Sequence, residues 1–393
     1  MHPLSLLIKP VSATCNMNCD YCFYHDVSSC RETALHTIMP DTVLEQLIKK
    51  ACSFATGSCT FAFQGGEPTL AGLDFFRKAV QLVHTYAPRN LQIHFALQTN
   101  GYLVSRELLE LFKKNNFLLG ISLDGTEEIH NLHRKNHYGQ GTFSSVQKTL
   151  SAIRQLHIDY NILSVVTDTS AERIQEIYTF FKKQKFDFLQ FIPCLPPLPK
   201  KGTNISAPFP LSPEAYGEFL VKLFDLWYSD FFSGSPLSIR QFDNYLLMLL
   251  GRPPEACDMG GRCSVQYVIE SDGSVYPCDF FCLDEYTLGN VCRDDFETFD
   301  KNRDRLGFIE ESMQQIPRCK TCPYFVLCRG GCKRHRLMAT QSAHDFTQNY
   351  FCQSFYRFFE ECGDKLLDVA SAIQKKEKKS LKTVNLTTLD NLK

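Results

Sequence analysis

The sequence predicts an α/β protein, a largely parallel sheet with covering helices, followed by a smaller cysteine-rich unit. Two observations carry this. From residue 4 to about 195, short β-branched or aromatic runs alternate six times with stretches of helical period. Beyond Ser233-Gly234-Ser235-Pro236 the repeated helical period stops and cysteines become dense. A length of 393 residues exceeds one ordinary domain and suits two.

The strand-like runs are Leu4–Ile8, Thr60–Phe63, Leu91–Leu97, Phe117–Leu123, Asn161–Val166 and Phe186–Ile192. Between them, Asp41 to Ala51 sets Leu44, Leu47, Ile48 and Ala51 at i, i+3, i+4 and i+7, the stripe of a helix that covers a sheet. Leu73–Ala87, Ser105–Asn115, Phe143–His157 and Ala171–Gln184 follow the same period. Such βα units build either a doubly wound sheet or a barrel, and strand order is not readable from them. Pro193 to Pro213 holds seven prolines, which excludes a regular helix or central strand and makes the segment a connection. One more amphipathic helix, Pro213–Tyr228, precedes the break at 233. In the cysteine-rich part, Ser271-Asp272-Gly273 is turn chemistry for a hairpin. The lysine-rich stretch from about 373 to 393 reads as a frayed helix and disordered tail.

Composition narrows the function classes. Forty-two Lys and Arg against 43 Asp and Glu leave a net charge of −1, so no basic field exists to hold nucleic acid or an anionic membrane. The N-terminus lacks a basic region and a long apolar run, and no stretch approaches the roughly 20 apolar residues of a membrane span. A cytoplasmic location is expected. There, disulfides rarely persist, so 18 cysteines are metal ligands or inert core residues.

Cys15, Cys19 and Cys22 follow the first strand, at the sheet end where active-site loops gather. Three thiolates leave one iron of a four-iron cluster open to an outside ligand, whereas four close it. With His25 nearby, the same residues also suit a Cys₃His zinc site. The second strand ends in Gln64-Gly65-Gly66-Glu67-Pro68, where paired glycines either let a ligand approach the backbone or form a structural turn. Downstream, Cys257, Cys263, Cys278, Cys319, Cys322, Cys328, Cys332 and Cys352 make eight thiols, enough for two closed clusters or two structural zincs. The other seven, Cys30, Cys52, Cys59, Cys194, Cys282, Cys292 and Cys362, read as mostly structural.

The Cys-x₃-Cys-x₂-Cys loop with Tyr21 before its last cysteine, and the glycine turn, resemble a radical S-adenosylmethionine enzyme over residues 1–233. The downstream cysteines over 234–372 resemble a SPASM-type extension. Over nearly its whole length the chain is similar to anaerobic sulfatase-maturating enzymes, as seen in Leu4 to Pro10, Cys22 to His25, Phe61 to Gly72, Leu97 to Gly101 and Glu270 to Phe280.

The resemblance implies a partial (β/α)6 TIM-like barrel with a C-terminal iron–sulfur domain, binding S-adenosyl-L-methionine and three [4Fe-4S] clusters. By position, Gly66 would meet the cofactor's amino group, Tyr21 its adenine side, Ser122 and Arg134 its ribose and carboxylate end, and the Leu195 region its adenine. A guanidinium fork suits a carboxylate, although an arginine such as Arg134 is also an ordinary surface residue. Cys257, Cys263, Cys278 and Cys332 would hold one auxiliary cluster, and Cys319, Cys322, Cys328 and Cys352 the other. The implied reaction oxidises a cysteine or serine in a sulfatase Cys/Ser-x-Pro-x-Arg motif to Cα-formylglycine without oxygen. A 5′-deoxyadenosyl radical takes a Cβ hydrogen, a base takes the thiol or hydroxyl proton, and a nearby closed cluster accepts the remaining electron. Asp279 falls where the family's base lies, although such an Asp by itself is a local hydrogen-bonding residue. Tyr24 and Gln64 would contact the peptide or the cofactor edge. Flavodoxin or ferredoxin would donate the electron. A sibling enzyme that modifies another peptide, for instance by thioether crosslinking, and a noncatalytic metal-binding protein are the competing readings.

Overall fold

Six strands of similar length alternate with helices, and in a computed structural model that describes residues 3–32, 37–198, 211–314, 316–337 and 348–390 they form a parallel, consecutive array. The strands are β1 (Leu4–Ile8), β2 (Ser58–Phe63), β3 (Gln92–Thr99), β4 (Phe117–Ser122), β5 (Tyr160–Val166) and β6 (Phe188–Pro193). Each pairs in parallel with the next, for example Leu6 with Phe61 and Leu97 with Leu119. The array does not close: the outer edge of β1 pairs with a C-terminal strand, and that of β6 with the short β7 (Ser238–Ile239). It is an open (β/α)6 barrel.

Alternation along the strands selects the core face. In β2, Cys59, Phe61 and Phe63 are buried while Ser58, Thr60 and Ala62 are half-buried. Phe95 of β3 and Phe117 of β4 stack with ring centroids 4.7 Å apart, an aromatic pair set by the register between the two strands. The covering helices include α1 (Phe23–Ser29), α2 (Asp41–Phe54), α3 (Gly72–Tyr86), α4 (Arg106–Lys114), α5 (Glu127–His133) and α6 (Phe143–Gln155). The single helix expected over Ala171–Gln184 is two, α7 (Asp168–Glu172) and α8 (Ile174–Lys183), broken at Arg173. Thr167 and Ser170 form a capping box that starts the first of them upstream of the expected position.

The cysteine-rich part differs from expectation in two ways. Its hairpin, β8 (Tyr267–Ile269) and β9 (Ser274–Tyr276), is not a detached unit. β8 lies parallel to β1, and with β10 (Gly289–Asn290) it extends the barrel sheet to ten strands. Helices also continue past 236, as α9 (Pro213–Ser233) is followed by α10 (Arg240–Leu249), α11 (Phe296–Arg305) and α12 (Cys352–Asp390) among others. α12 packs along α9, burying Phe355, Phe358, Phe359 and Cys362. This apolar stripe was hidden by the surrounding charges. The helix runs into the lysine-rich stretch, whose side chains beyond 376 and residues 391–393 lie outside the described residues, as do residues 199–210 of the proline-rich connection. Among the described residues no helix is long and apolar enough to cross a membrane.

Candidate active site

The cysteine loop is held in place by main-chain bonds to two other segments and by one within itself. The Thr14 carbonyl accepts from Glu67 N–H at 2.8 Å, and Asn18 N–H donates to the Lys135 carbonyl at 2.8 Å. Cys22 forms the N-cap of α1, and its own N–H donates to the Cys19 carbonyl at 3.2 Å. The thiols of Cys15, Cys19 and Cys22 lie close enough to feel one another's charge. Burial, with a smaller contribution from that mutual repulsion, pushes Cys15 up to about 11 and Cys19 up to about 12. Without a cation Cys15 and Cys19 keep their protons, and a cation at the centre of the group would reverse that.

The glycine turn is required by sterics. Gly66 has φ +54°, and a Cβ there would sit 2.2 Å from the Thr14 carbonyl oxygen, so only glycine brings β2 this close to the cysteine loop. Glu67 ties the turn to the end of β3. Its buried carboxylate accepts from Thr69 N–H at 3.0 Å, from the Thr69 and Thr99 hydroxyls at 2.6 and 2.8 Å, and from Asn100 N–H at 2.7 Å. Asn100 in turn points its amide at Asn16 (2.8 Å) and the Cys15 sulfur (3.6 Å).

At the ends of β4 and β5, Asp124 is the hub. Its carboxylate receives Arg134 through Nε at 2.9 Å and Nη2 at 3.2 Å, accepts Val165 N–H at 3.0 Å, and accepts the Tyr21 hydroxyl. Burial alone would raise Asp124, but the Arg134 charge and these hydrogen bonds hold it below the usual carboxylate range. Arg134 is therefore no solvated surface residue: it is buried, and most of its fork belongs to Asp124. Ser122 is half-buried beside this pair and accepts from Gln98 at 3.2 Å. Leu195 and Tyr21 both pack against the main core.

Across the boundary with the cysteine-rich part, Tyr24 donates to Asp279 Oδ2 at 2.6 Å, and Gln64 donates to Tyr24 Oη at 2.6 Å. Asp279 Oδ1 is buried and has no partner. Burial raises the Asp279 pKa, opposed by the charge of Lys9 and by the Tyr24 hydrogen bond. Lys9 is itself buried, paired with Glu270 at 2.5 Å and placed 5.2 Å from the centre of the Tyr24 ring. The parallel pairing of β1 with β8 creates this arrangement, since it sets Ile8 beside Ile269 and so brings Lys9 to Glu270.

The eight downstream thiols fall into two groups. Cys257, Cys263, Cys278 and Cys332 influence one another's charge, and so do Cys319, Cys322, Cys328 and Cys352. Among the described residues no three Cys, His, Asp or Glu side chains close on a single metal ion. Soft sulfur donors in sets of three, four and four suit multi-iron cubes, in which each iron takes one cysteine. Sequence reasoning assigned no role to Asp124, Lys9, Glu270, Glu67 or Asn100. Each lies in or beside a motif, but its partner is distant in sequence.

Residues 10–181 match the radical SAM superfamily and residues 257–323 an iron-sulfur cluster-binding domain. The chain is 44% identical over 373 residues to the cysteine-type anaerobic sulfatase-maturating enzyme of Clostridium novyi, covering 95% of this chain and 99% of that one. This chain belongs to the anaerobic sulfatase-maturating enzymes. The serine-type enzyme of Bacteroides thetaiotaomicron is 32% identical, covering 91% of this chain and 89% of its own. The solved structure described as native anSMEcpe with bound AdoMet superposes with a TM-score of 0.88 at 44% identity, covering 94% of this chain and all of that one. As an anaerobic sulfatase-maturating enzyme, the protein is a radical S-adenosylmethionine oxidoreductase whose cofactors are S-adenosyl-L-methionine and three [4Fe-4S] clusters.

Proposed function

We propose that this enzyme oxidises the cysteine of a sulfatase Cys-x-Pro-x-Arg motif to Cα-formylglycine, with the serine form as the lesser substrate. The observation that carries the reading is the Gln64–Tyr24–Asp279 chain of 2.6 Å hydrogen bonds, which leaves one buried carboxylate oxygen unpartnered beside the cysteine loop. Greater identity to the cysteine-type than to the serine-type relatives supports the choice of side chain.

Cys15, Cys19 and Cys22 are the ligands for the cofactor-cleaving cluster. Cys257, Cys263, Cys278 and Cys332 hold one auxiliary cluster, and Cys319, Cys322, Cys328 and Cys352 the other. Gly66 presents its backbone to the cofactor's amino group, while Ser122 and Arg134 face its ribose and carboxylate end. The Nη1 of Arg134 takes no part in the bidentate pair with Asp124 and serves that contact. Tyr21 and Leu195 border the adenine. When bound, the cofactor and its cluster supply a 5′-deoxyadenosyl radical that removes a Cβ hydrogen.

The chain's own residues handle the proton. Asp279 Oδ1 accepts it from the substrate thiol, while Oδ2 stays fixed by Tyr24, so the carboxylate cannot turn away from the substrate. Gln64 orients the Tyr24 hydroxyl and borders the peptide. A raised Asp279 pKa makes the carboxylate a stronger base than an exposed one. Thiols kept ready for clusters need a reducing compartment, and we assign the cytoplasm. Flavodoxin or ferredoxin is the electron donor in this reading.

Anaerobic reconstitution with iron and sulfide, then dithionite, S-adenosylmethionine and either a Cys-x-Pro-x-Arg or Ser-x-Pro-x-Arg peptide, tests it by mass spectrometry. Aldehyde with 5′-deoxyadenosine, faster from the cysteine peptide, is expected. Cofactor cleavage without aldehyde would make the enzyme a modifier of another peptide, and no cleavage would remove the radical mechanism.

A further inference from the structure

Directly after Cys332 the chain reads Lys333-Arg334-His335-Arg336, one helical turn in which every side chain is buried. Four basic residues in a row ordinarily face water. Two of these have a local explanation. Lys333 pairs with Glu311 at 2.7 Å, and burial together with the Arg334 charge pushes His335 down to about 3, so it stays neutral.

The two arginines have none. Arg336 is 3% exposed, and its guanidinium donates only to main-chain carbonyls, those of Ser312 at 2.8 Å, Gly330 at 3.2 Å, Gln314 at 3.4 Å and Gly331 at 3.5 Å. The chain leaves room for it, since a Cβ on Gly330 would lie 2.7 Å from its Nη2. Arg334 donates through Nη2 to the Pro196 carbonyl at 2.7 Å, while its Nη1 is buried and has no partner. Among the described residues neither arginine has a carboxylate within ion-pair distance, and Asp26, the acid that Arg334 feels most, accepts Leu198 N–H instead.

Carbonyls solvate a guanidinium without cancelling its charge, and a buried charge with no counter-charge is costly. The anionic groups that meet these two are thiols. Burial works against the Arg336 charge, and what favours it is Cys319 and Cys328 of one set together with Cys332 and Cys263 of the other. Arg334 feels Cys332 from the first set alone, and its N–H donates to the Cys332 sulfur at 3.3 Å. Protonated thiols would offer no charge. Four thiolates around an iron cube leave a net negative charge, which is what a guanidinium buried between the two sets lacks.

We propose that Arg336 is a counter-ion shared by both auxiliary clusters, that Arg334 serves the cluster at Cys257, Cys263, Cys278 and Cys332 alone, and that these charges make the clusters better acceptors of the electron left by substrate oxidation. This rests on the ligand sets proposed above. Uptake of that electron adds one negative charge beside a fixed positive one, and no bond to iron forms or breaks.

Redox titration of the reconstituted enzyme, followed by electron paramagnetic resonance, tests it, with Cys322→Ala and Cys263→Ala backgrounds to assign the signals of each set. Arg336→Met is expected to make one-electron reduction of each auxiliary cluster roughly tenfold less favourable, a fall of about 59 mV in midpoint potential. Arg336→Lys keeps the charge and should restore most of it, while Arg334→Met should lower the potential of the Cys257 set alone. Full iron with unchanged potentials in Arg336→Met and Arg334→Met overturns the counter-ion role. So does an equal fall in Arg336→Lys and Arg336→Met, which would assign the effect to the contacts with the carbonyls. If Arg336→Met fails to load iron, the other two variants decide, and either iron loss in Arg336→Lys or an unmoved potential in Arg334→Met overturns the role. Unchanged iron content in both cysteine variants would instead overturn the ligand sets, and the counter-ion role with them.

Discussion

Tyr24 donates its hydroxyl to Asp279 at 2.6 Å although 255 residues separate them, joining the helix after the cysteine loop to the turn that carries Cys278. The contact fixes one carboxylate oxygen and leaves the other, buried Oδ1 without a hydrogen-bond partner among the described residues. Asp279→Asn keeps the shape and removes the basicity, so formylglycine formation should fall by at least about a hundredfold while cofactor cleavage continues. Mass spectrometry of peptide and 5′-deoxyadenosine together separates the two. Equal loss of both products would assign Asp279 to cofactor binding.

The rate should also carry an acid limb. Burial raises the Asp279 pKa, so the carboxylate becomes available only above the ordinary carboxylate range, and turnover rises with pH through that point. Lys9 opposes the rise. Its replacement by methionine removes a neighbouring positive charge, and the limb should move to higher pH. A limb that stays in place in Lys9→Met would show that Asp279 is not the group being titrated.

Gly66→Ala should prevent the β2 turn from reaching the cysteine loop. The added Cβ would lie 2.2 Å from backbone oxygen at a φ of +54°, and neither atom belongs to a flexible side chain. A cost of about 2 kcal/mol or more is expected in denaturant unfolding, with weaker S-adenosylmethionine binding. Gly65→Ala would put its Cβ 2.6 Å from the buried Lys9 side chain at a φ of +102°, so it too is expected to destabilise, through the backbone and Lys9 rather than through the cysteine loop.

The buried Asp124–Arg134 pair gives a stability prediction with a definite sign. Asp124 is held below the usual carboxylate range, so its contribution is present above the unfolded-state pKa near ~4 and is lost as pH falls through the folded value. Asp124→Asn leaves an uncompensated buried guanidinium and should cost about 3–5 kcal/mol at neutral pH. Urea unfolding of the clustered protein at several pH values would check both. Equal stability of the variant at neutral pH would contradict the pairing.

Iron content tests the two thiol groups. Replacing Cys263 by alanine should remove one auxiliary cluster, about four irons per chain, and leave the other, while Cys322→Ala does the converse. Mössbauer spectra of the single variants and their double should add. Loss of all eight auxiliary irons from a single substitution would show that the two sets fold as one unit.

Much of this was legible in the chain. Periodicity located all six barrel strands, because each strand and its covering helix are defined by neighbours a few residues away. Cys15, Cys19, Cys22 and the glycine turn were likewise visible, since ligand spacing within one loop is a local property. Arg134 was visible only as a residue. Whether it faces water, cofactor or another side chain depends on Asp124, which the ends of β4 and β5 bring to it.

The sequence by itself therefore determined the repeating βα units, the loop of three thiols and the supply of eight more. Tertiary structure decided which distant groups meet. Parallel pairing of β8 with β1 sets Lys9 against Glu270 and Asp279 beneath Tyr24, and return of the chain toward Cys257, Cys263 and Cys278 adds Cys332 to the first set rather than to its sequence neighbours Cys319, Cys322 and Cys328. The reason is physical. Hydrophobic period and ligand spacing act within a few residues, whereas a buried carboxylate and its partner are brought together by strand register and by the packing of whole elements.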